Sequence, residues 1–302
     1  MNTLIVVTGP TGVGKTGAAI AVARRLGCEI VNADSRQVYR GISIGTAAPT
    51  AAEQALVRHH LVACRNLDED YSASQFEADV LALLPQLWAP GGVAVLCGGS
   101  MMYVDAVCHG IDPLPDIDPA LRRAVLDQLH EQGLASVLAD LQRLDPAYYA
   151  EVDRSNPRRV VHAVEICRQA GVPYSTLRTG RRRERPFRIV KVALEVERDV
   201  LYDRINRRVD AMMSAGLLAE ARHVYPLRHL NALNTVGYKE LFAYFDGMTS
   251  LDEAVRLIKR NTRHYAKKQL TWLAREPQLV RCHPDEVWPV VERALAYTGS
   301  TS

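Results

Sequence analysis

Gly9-Pro-Thr-Gly-Val-Gly-Lys15-Thr16 follows directly on the apolar run Leu4-Ile-Val-Val-Thr8, and that junction decides the fold. The octapeptide fits the spacing G-x-x-x-x-G-K-[ST] at every fixed position. A strand that feeds a glycine-rich turn and then a helix makes an anion site. Successive backbone N–H groups point into the turn, and the helix N-terminus adds roughly half a positive charge. Gly9, Gly12 and Gly14 let the backbone approach a ligand closely. Lys15 is placed to reach terminal phosphates, and the Thr16 hydroxyl to hold Mg2+. Residues 18–26 supply the helix and Gly27 ends it. A chance glycine-rich turn would have to match the fixed positions and both flanking elements at once. The motif specifies a polyphosphate without choosing ATP.

Eighteen residues beyond Thr16, Asp34-Ser-Arg-Gln-Val-Tyr39 puts a carboxylate where the next strand ends. Strands are expected at 4–8, 29–32 and 93–97, with helices at 16–26, 52–59 and 74–88. This alternation implies an α/β fold, a P-loop NTPase-like parallel sheet covered on both faces. Strand ends at Gly9, Asp34 and Gly98-Gly99 would then bring three loops to one edge, where open α/β sheets bind ligands.

Pro113-Leu-Pro-Asp-Ile-Asp-Pro119 breaks the pattern, and residues 119–178 read as helices only. Asp116 or Asp118 is expected to cap the helix that opens at Pro119. A strand returns at 188–195, and residues 199–275 read as helical. The simplest organisation is a core of residues 1–115 and 187–302, with C-terminal helices, interrupted by an all-helical domain at 116–186.

Among 302 residues the formal net charge is +3, but it is unevenly spread. Residues 1–110 carry seven Lys/Arg against nine Asp/Glu, whereas the remainder carries 30 against 25. Basic clusters stand at Arg181-Arg-Arg-Glu-Arg185, at Arg204 with Arg207-Arg208, and from Arg256 to Lys268. Such clusters serve a polyanion or a solvated surface. Arg256, Arg260, Arg263 and Lys267 recur at helical spacing as one stripe, with Ile258, Tyr265 and Trp272 expected on the opposite, buried face. Six scattered cysteines without a C-x-x-C pair argue against a zinc knuckle or disulfide framework and for a reducing compartment. No apolar run approaches the roughly 20 residues of a bilayer span, and no signal segment opens the chain. A cytoplasmic monomer with no membrane partner is expected.

Several loop motifs together resemble the tRNA dimethylallyltransferases, the tRNA isopentenyltransferase (IPP transferase) family. They are the P-loop, Asp34-Ser-x-Gln-Val-Tyr39, Gly41-x-x-Ile-Gly-Thr-Ala47, Gly98-Gly-Ser-x-x-Tyr103, Val236-Gly-Tyr238 and Ala266-Lys-Lys-Gln-Leu-Thr-Trp-Leu273. They run in the family's order over most of the chain. The resemblance implies transfer of a dimethylallyl group from dimethylallyl diphosphate to N6 of the adenosine 3′-adjacent to the anticodon, in tRNAs reading codons that begin with U. Gly9, Pro10, Thr11, Gly12, Val13, Gly14, Lys15 and Thr16 would hold the diphosphate with Mg2+, aided by Arg208. Asp34 would act as base, beside Ser100, and Arg204 would neutralise the leaving group. The anticodon stem-loop would meet Asp34, Ser35, Arg36, Gln37, Ser100, Arg263, Lys267 and Lys268, with Arg122, Arg158 and Arg159 of the insert on its other side. The target base must leave its stack, entering a channel shared with the prenyl donor.

The chain departs from the family pattern at a few positions. Ser100 stands where Thr is common, Arg158 where Gln is frequent, and His162 and Lys239 where Arg is. Bland alternatives also exist. Asp34 could serve as a helix cap, Arg204 and Arg208 as a solvated face, and Tyr103, Tyr238 and Trp272 as packing residues. A P-loop small-molecule or nucleotide kinase with Asp34 as base explains the cradle but not the basic C-terminal helix. An RNA-binding protein with a spent P-loop fits poorly with intact Lys15, Thr16 and Asp34.

Overall fold

The computed structural model describes residues 1–88, 91–180, 182–276 and 279–296. The chain divides into two compact units, one of residues 1–109 with 184–302 and one of residues 110–183. In the first unit, β1 (Thr3–Thr8), β2 (Ile30–Asn32), β3 (His59–His60), β4 (Val93–Cys97), β5 (Arg188–Leu194) and β6 (Val280–Cys282) form one sheet. Their order is β3-β2-β4-β1-β5-β6 and every pairing is parallel. All C-terminal strand ends therefore open on the same edge.

β1 is buried along its whole length, as a strand covered on both faces must be. Its alternation divides it between two cores. Ile5 and Val7 pack with α1 (Lys15–Leu26), while Leu4 and Val6 join Phe76, Val80 and Val104 on the other face. The remaining helices of this unit are α2 (Ser43–Thr46), α3 (Ala51–Leu56), α4 (Ala73–Trp88), α5 (Met101–His109), α10 (Arg198–Ser214), α11 (Leu217–Val224), α12 (Tyr238–Phe245), α13 (Leu251–Leu273) and α14 (Val287–Ala296). A third core joins Val38, Tyr39 and Ile42 to Leu217, Tyr238, Leu241 and Ile258, packing the helical tail onto the loop after β2.

The second unit has helices and no strand among its described residues: α6 (Pro119–Leu144), α7 (Pro146–Glu151), α8 (Pro157–Ala170) and α9 (Tyr174–Leu177). Asp118 caps α6, its Oδ1 accepting from the N–H groups of Ala120 (2.6 Å) and Leu121 (3.3 Å). Asp145 is fully buried and accepts from Tyr148 and from both the N–H and hydroxyl of Ser175. Burial alone would raise its pKa, but these donors hold the carboxyl below its usual range.

One expectation of the sequence needs correction here. The helix expected over 52–59 ends at Leu56, and Val57 turns extended. His59 and His60 instead pair with Ile30 and Val31 as a sheet edge. A capping box between Thr50 and Glu53 fixes where α3 starts, and the His60 imidazole meets Glu29 Oε2 at 2.5 Å. α6 bends within its span at Gly133, whose φ of 76° is not helical.

Candidate active site

Gly9 leaves β1 with φ +148°, and a Cβ there would lie 2.8 Å from the Leu194 carbonyl oxygen. Only glycine fits so close to β5. The turn ends at the N-terminus of α1, which has no side-chain cap. Among the described residues, the N–H groups of Gly12, Gly14, Lys15 and Thr16 have no hydrogen-bond partner. Four orphaned donors beside a helix N-terminus form an anion cradle. Lys15 Nζ meanwhile folds back to donate to the carbonyls of Gly9 (3.0 Å) and Pro10 (2.9 Å). Burial pushes its pKa down to about 8, with Arg208 adding to the effect and Cys97 and Asp34 opposing it.

α10 carries two arginines to this turn from one face. Arg204 Nη1 donates to Val13 O at 3.1 Å, and Arg208 Nη1 to Thr11 Oγ1 at 3.3 Å. Burial lowers the Arg208 pKa and Asp34 partly restores it. These arginines are built into the cradle and are not a solvated face.

At the end of β2, Asp34 Oδ1 accepts from the N–H groups of Arg36 (2.9 Å) and Gln37 (3.3 Å). Among the described residues, Oδ2 has no hydrogen-bond partner. At the end of β4, a Cβ on Gly98 would sit 2.1 Å from Ala33 O, so the two strand ends touch through backbone alone. Ser100 follows, buried, with Oγ accepting from Ser35 N (2.8 Å) and donating to Ser35 Oγ (3.1 Å).

One cavity of about 790 Å³ runs past Gly12, Gly14, Lys15, Thr16, Arg208 and Asp34, so cradle and carboxylate share a space. Tyr265 and Gln269 of α13 line it too, and the sequence marks neither as a site residue. Tyr265 was expected on the buried face of α13. It is instead 38% exposed, and the buried positions are Ala254, Ile258, Ala266, Gln269 and Leu273. Burial pushes the Tyr265 phenol up to about 12, helped by the Asp34 charge and opposed by Arg36 and a hydrogen bond with Ser100. Gln269 is 2% exposed; its Oε1 accepts from Thr11 N (2.8 Å) and its Nε2 donates to Gly99 O (2.8 Å). One side chain thus ties the P-loop to the Gly98-Gly99-Ser100 turn. A glutamine within an apolar helical stripe was the available signal.

The expected RNA-facing residues divide. Arg36 donates to the carbonyls of Asn231 and Ala232, and Gln37 Nε2 to those of Thr46 and Ala47. On α13, Arg256 is paired with Glu253, Arg263 donates to Asn206 Oδ1 (2.6 Å), and Lys267 and Lys268 are exposed without an ion pair among the described residues. In the second unit Arg122 lies 3.5 Å from the buried Glu165, while Arg158 and Arg159 are exposed in the first turn of α8. Cations there oppose the helix dipole, so α8 stability does not explain them. Of the 181–185 cluster, Arg181 lies outside the described residues, and Arg185 is buried on Glu77 at 2.6 Å. Trp272 is half-buried, Nε1 donating to Asp105, and Tyr103 and Tyr238 are buried.

A parallel sheet, a glycine turn with orphaned N–H groups after β1 and a carboxylate after β2, on the same sheet edge with β4 between them, define an α/β protein of the P-loop class. Residues 37–276 match the model of the IPP transferase family. The chain is 56% identical over 286 residues to a Parabacteroides distasonis protein named tRNA dimethylallyltransferase 2, covering 95% of this chain and 96% of that one. The crystal structure of a tRNA isopentenylpyrophosphate transferase from Bacillus halodurans superposes with a TM-score of 0.72 at 34% identity, covering 98% and 96% of the two chains. A eukaryotic dimethylallyltransferase acting on tRNA shares the fold, with a TM-score of 0.75 at 24% identity over 90% of this chain and 70% of that one. The chain belongs to the IPP transferase family.

Proposed function

We propose that this chain transfers a dimethylallyl group from dimethylallyl diphosphate to N6 of the adenosine 3′-adjacent to the anticodon, in tRNAs reading codons that begin with U. The observation that carries the reading is the shared cavity, with an anion cradle and an unpartnered carboxylate oxygen in one space. In the reaction N6 attacks the allylic carbon, the carbon–oxygen bond to diphosphate breaks, and the N6 proton passes to Asp34 Oδ2. The N–H groups of the P-loop, Lys15, Arg204 and Arg208 take up the charge that develops on the departing diphosphate. Ser35 and Ser100 hold the wall beside the carboxylate.

Thr16 lines the cavity and its hydroxyl has no hydrogen-bond partner among the described residues. One neutral oxygen beside a diphosphate suits Mg2+, which keeps most of its water and binds through few protein ligands. When bound, the ion would offset diphosphate charge. Arg158, Arg159, Lys267 and Lys268 supply exposed cations for tRNA phosphates. Among the described residues no helix is long and apolar enough to cross a membrane, and we place the enzyme in the cytoplasm as a monomer. A kinase would need the same cradle, but the family assignment and the unpaired lysines of α13 favour an RNA acceptor.

The deciding experiment incubates the purified chain and Mg2+ with unmodified tRNA and either dimethylallyl diphosphate or ATP, then digests the tRNA for mass spectrometry. N6-dimethylallyladenosine 3′ of the anticodon is the expected product. ATP consumption without that nucleoside would replace this function with the kinase.

A further inference from the structure

Gly41–Ala47 and Val236-Gly-Tyr238 supply no group to the chemistry above, yet the fold brings them together. Glu220, in the first turn of α11, aims its carboxylate at the first turn of α2. Oε2 accepts from Ile44 N and Oε1 from Gly45 N, each at 2.8 Å. The hydroxyl of the fully buried Tyr238 donates to the same Oε1 at 2.5 Å. A Cβ on Gly45 would lie 2.5 Å from that hydroxyl, so backbone and phenol can approach only at glycine. The carboxylate sits between two helix N-termini, a placement that both dipoles favour.

The clamped segment borders the catalytic cavity, which Glu220 itself does not line. From α2 the contacts run on to the base. Gln37 Nε2 donates to Thr46 O (2.9 Å) and Ala47 O (3.0 Å), and Gln37 N donates to Asp34 Oδ1. Ala47 takes φ +47°, a strained value for a residue other than glycine, and Gln37 holds its carbonyl. We propose that Glu220 and Tyr238 are positioning residues that fix segment 43–47 and, through Gln37, the direction of the Asp34 carboxylate. This rests on the prenyl-transfer reading for its effect on rate, but the clamp can be measured without it.

The test uses the full chain as wild type, Glu220→Gln, Tyr238→Phe, Gln37→Leu and the Gln37→Leu/Glu220→Gln double variant. A glutamine can accept one of the two N–H groups but turns a donor toward the other. In Glu220→Gln, kcat for prenyl transfer should fall about 10- to 100-fold, as for other lost outer contacts of a site, with tRNA affinity by filter binding changed less than about twofold. The double variant should be no slower than the slower single one, because both act through the same segment. Amide exchange at Ile44 and Gly45 should quicken in Glu220→Gln, and with it exchange at Arg36 and Gln37. A kcat within about twofold of wild type, an equal loss of tRNA affinity, or losses that multiply independently would each overturn the proposal. If Glu220→Gln does not fold, Tyr238→Phe keeps the ring packing and must show the same split between kcat and affinity. A wild-type chain that transfers no prenyl group would refute the function alone, and the amide exchange would still decide the clamp.

Discussion

Gln269→Leu tests whether one side chain holds the cradle against the acceptor side of the cavity. Leucine keeps the packing of this 2%-exposed position and removes both hydrogen bonds, leaving Thr11 N and Gly99 O without partners. An orphaned buried polar group costs about 1–3 kcal/mol. The cavity beside Thr11 admits water, so the lower end applies at each group, giving about 2 kcal/mol in all. For a unit of this size that lowers the melting temperature by about 4–8 °C. The larger effect falls on rate, since a misplacement of about 1 Å between reacting groups costs about 100-fold. Donor kcat/KM in the tRNA assay should therefore drop about 10- to 100-fold. Leu273→Ala, on the same buried face, is the control: it should cost about 2–5 kcal/mol through packing and leave donor kcat/KM near wild type. Were Gln269→Leu to melt like wild type, or were Leu273→Ala to lose as much donor kcat/KM, the tie between the two loops would carry no function.

Asp34→Asn keeps an oxygen for the Arg36 and Gln37 N–H groups but cannot take the proton, so turnover should fall at least about 100-fold while tRNA binds as before; equal loss of binding would make Asp34 a docking residue. Lys15 in the free enzyme titrates at about 8, so inorganic diphosphate should bind with constant affinity from pH 7 to about 8 and then about tenfold more weakly per unit of rising pH. The sign for stability is the reverse. Its folded pKa lies below the unfolded 10.5, so the unfolded chain binds the extra proton between these values, and wild type should gain stability relative to Lys15→Met as pH rises from about 8 to 10.5. A Lys15→Arg variant with the same decline in diphosphate affinity would assign the titration elsewhere. Joint Arg158→Ala and Arg159→Ala substitution should lower the slope of log affinity against log salt by about 0.7–0.9 per lost phosphate contact, measured by filter binding; an unchanged slope would remove the first turn of α8 from the footprint.

How far the sequence reaches depends on how local each signal is. β1, β4 and α1 were legible because apolar runs and a glycine turn fix them without help from distant residues. β3 and β6, two and three residues long, have no room for periodicity and exist because a neighbouring strand offers unpaired backbone. The cradle and Asp34 were legible as motifs. Tyr265 was misplaced for a geometric reason. On a straight helix a spacing of seven shifts a residue by only about 20°, so the heptad spacing keeps Tyr265 close to the Ile258 direction. What turns is the buried face itself, toward the P-loop and the Gly98-Gly99 turn that Gln269 meets near the C-terminal end of α13. Ala266, Gln269 and Leu273 form that face there, and the phenol is released into the cavity. Gln269 was hidden because its partners lie 258 and 170 residues away.

Asp34 caps a turn and not a helix, since the next helix after β2 is α2, and the hydrogen bonds that close this turn also suit the proposed role as base. Oδ1 is spent on the N–H groups of Arg36 and Gln37, and this fixes the plane of the carboxylate. A carboxylate free to rotate would offer either oxygen in any direction; a capped one offers a single oxygen along a set line, with less ordering left to the moment of reaction. That oxygen shares a cavity with the orphaned N–H groups of the P-loop. Negative charge is therefore tolerated at one end only when it arrives as diphosphate, and is built in at the other. An allylic carbon crossing between them carries partial positive charge in the transition state, and each pole stabilises it. Once N6 is bonded to carbon its proton is acidic, so the acceptor must be well placed more than strongly basic. The same reasoning bears on Ser100. A threonine would restrict χ1 through its methyl, whereas here the hydroxyl is held by Ser35 N and Ser35 Oγ. Two hydrogen bonds supply the rigidity that the missing methyl group would have given.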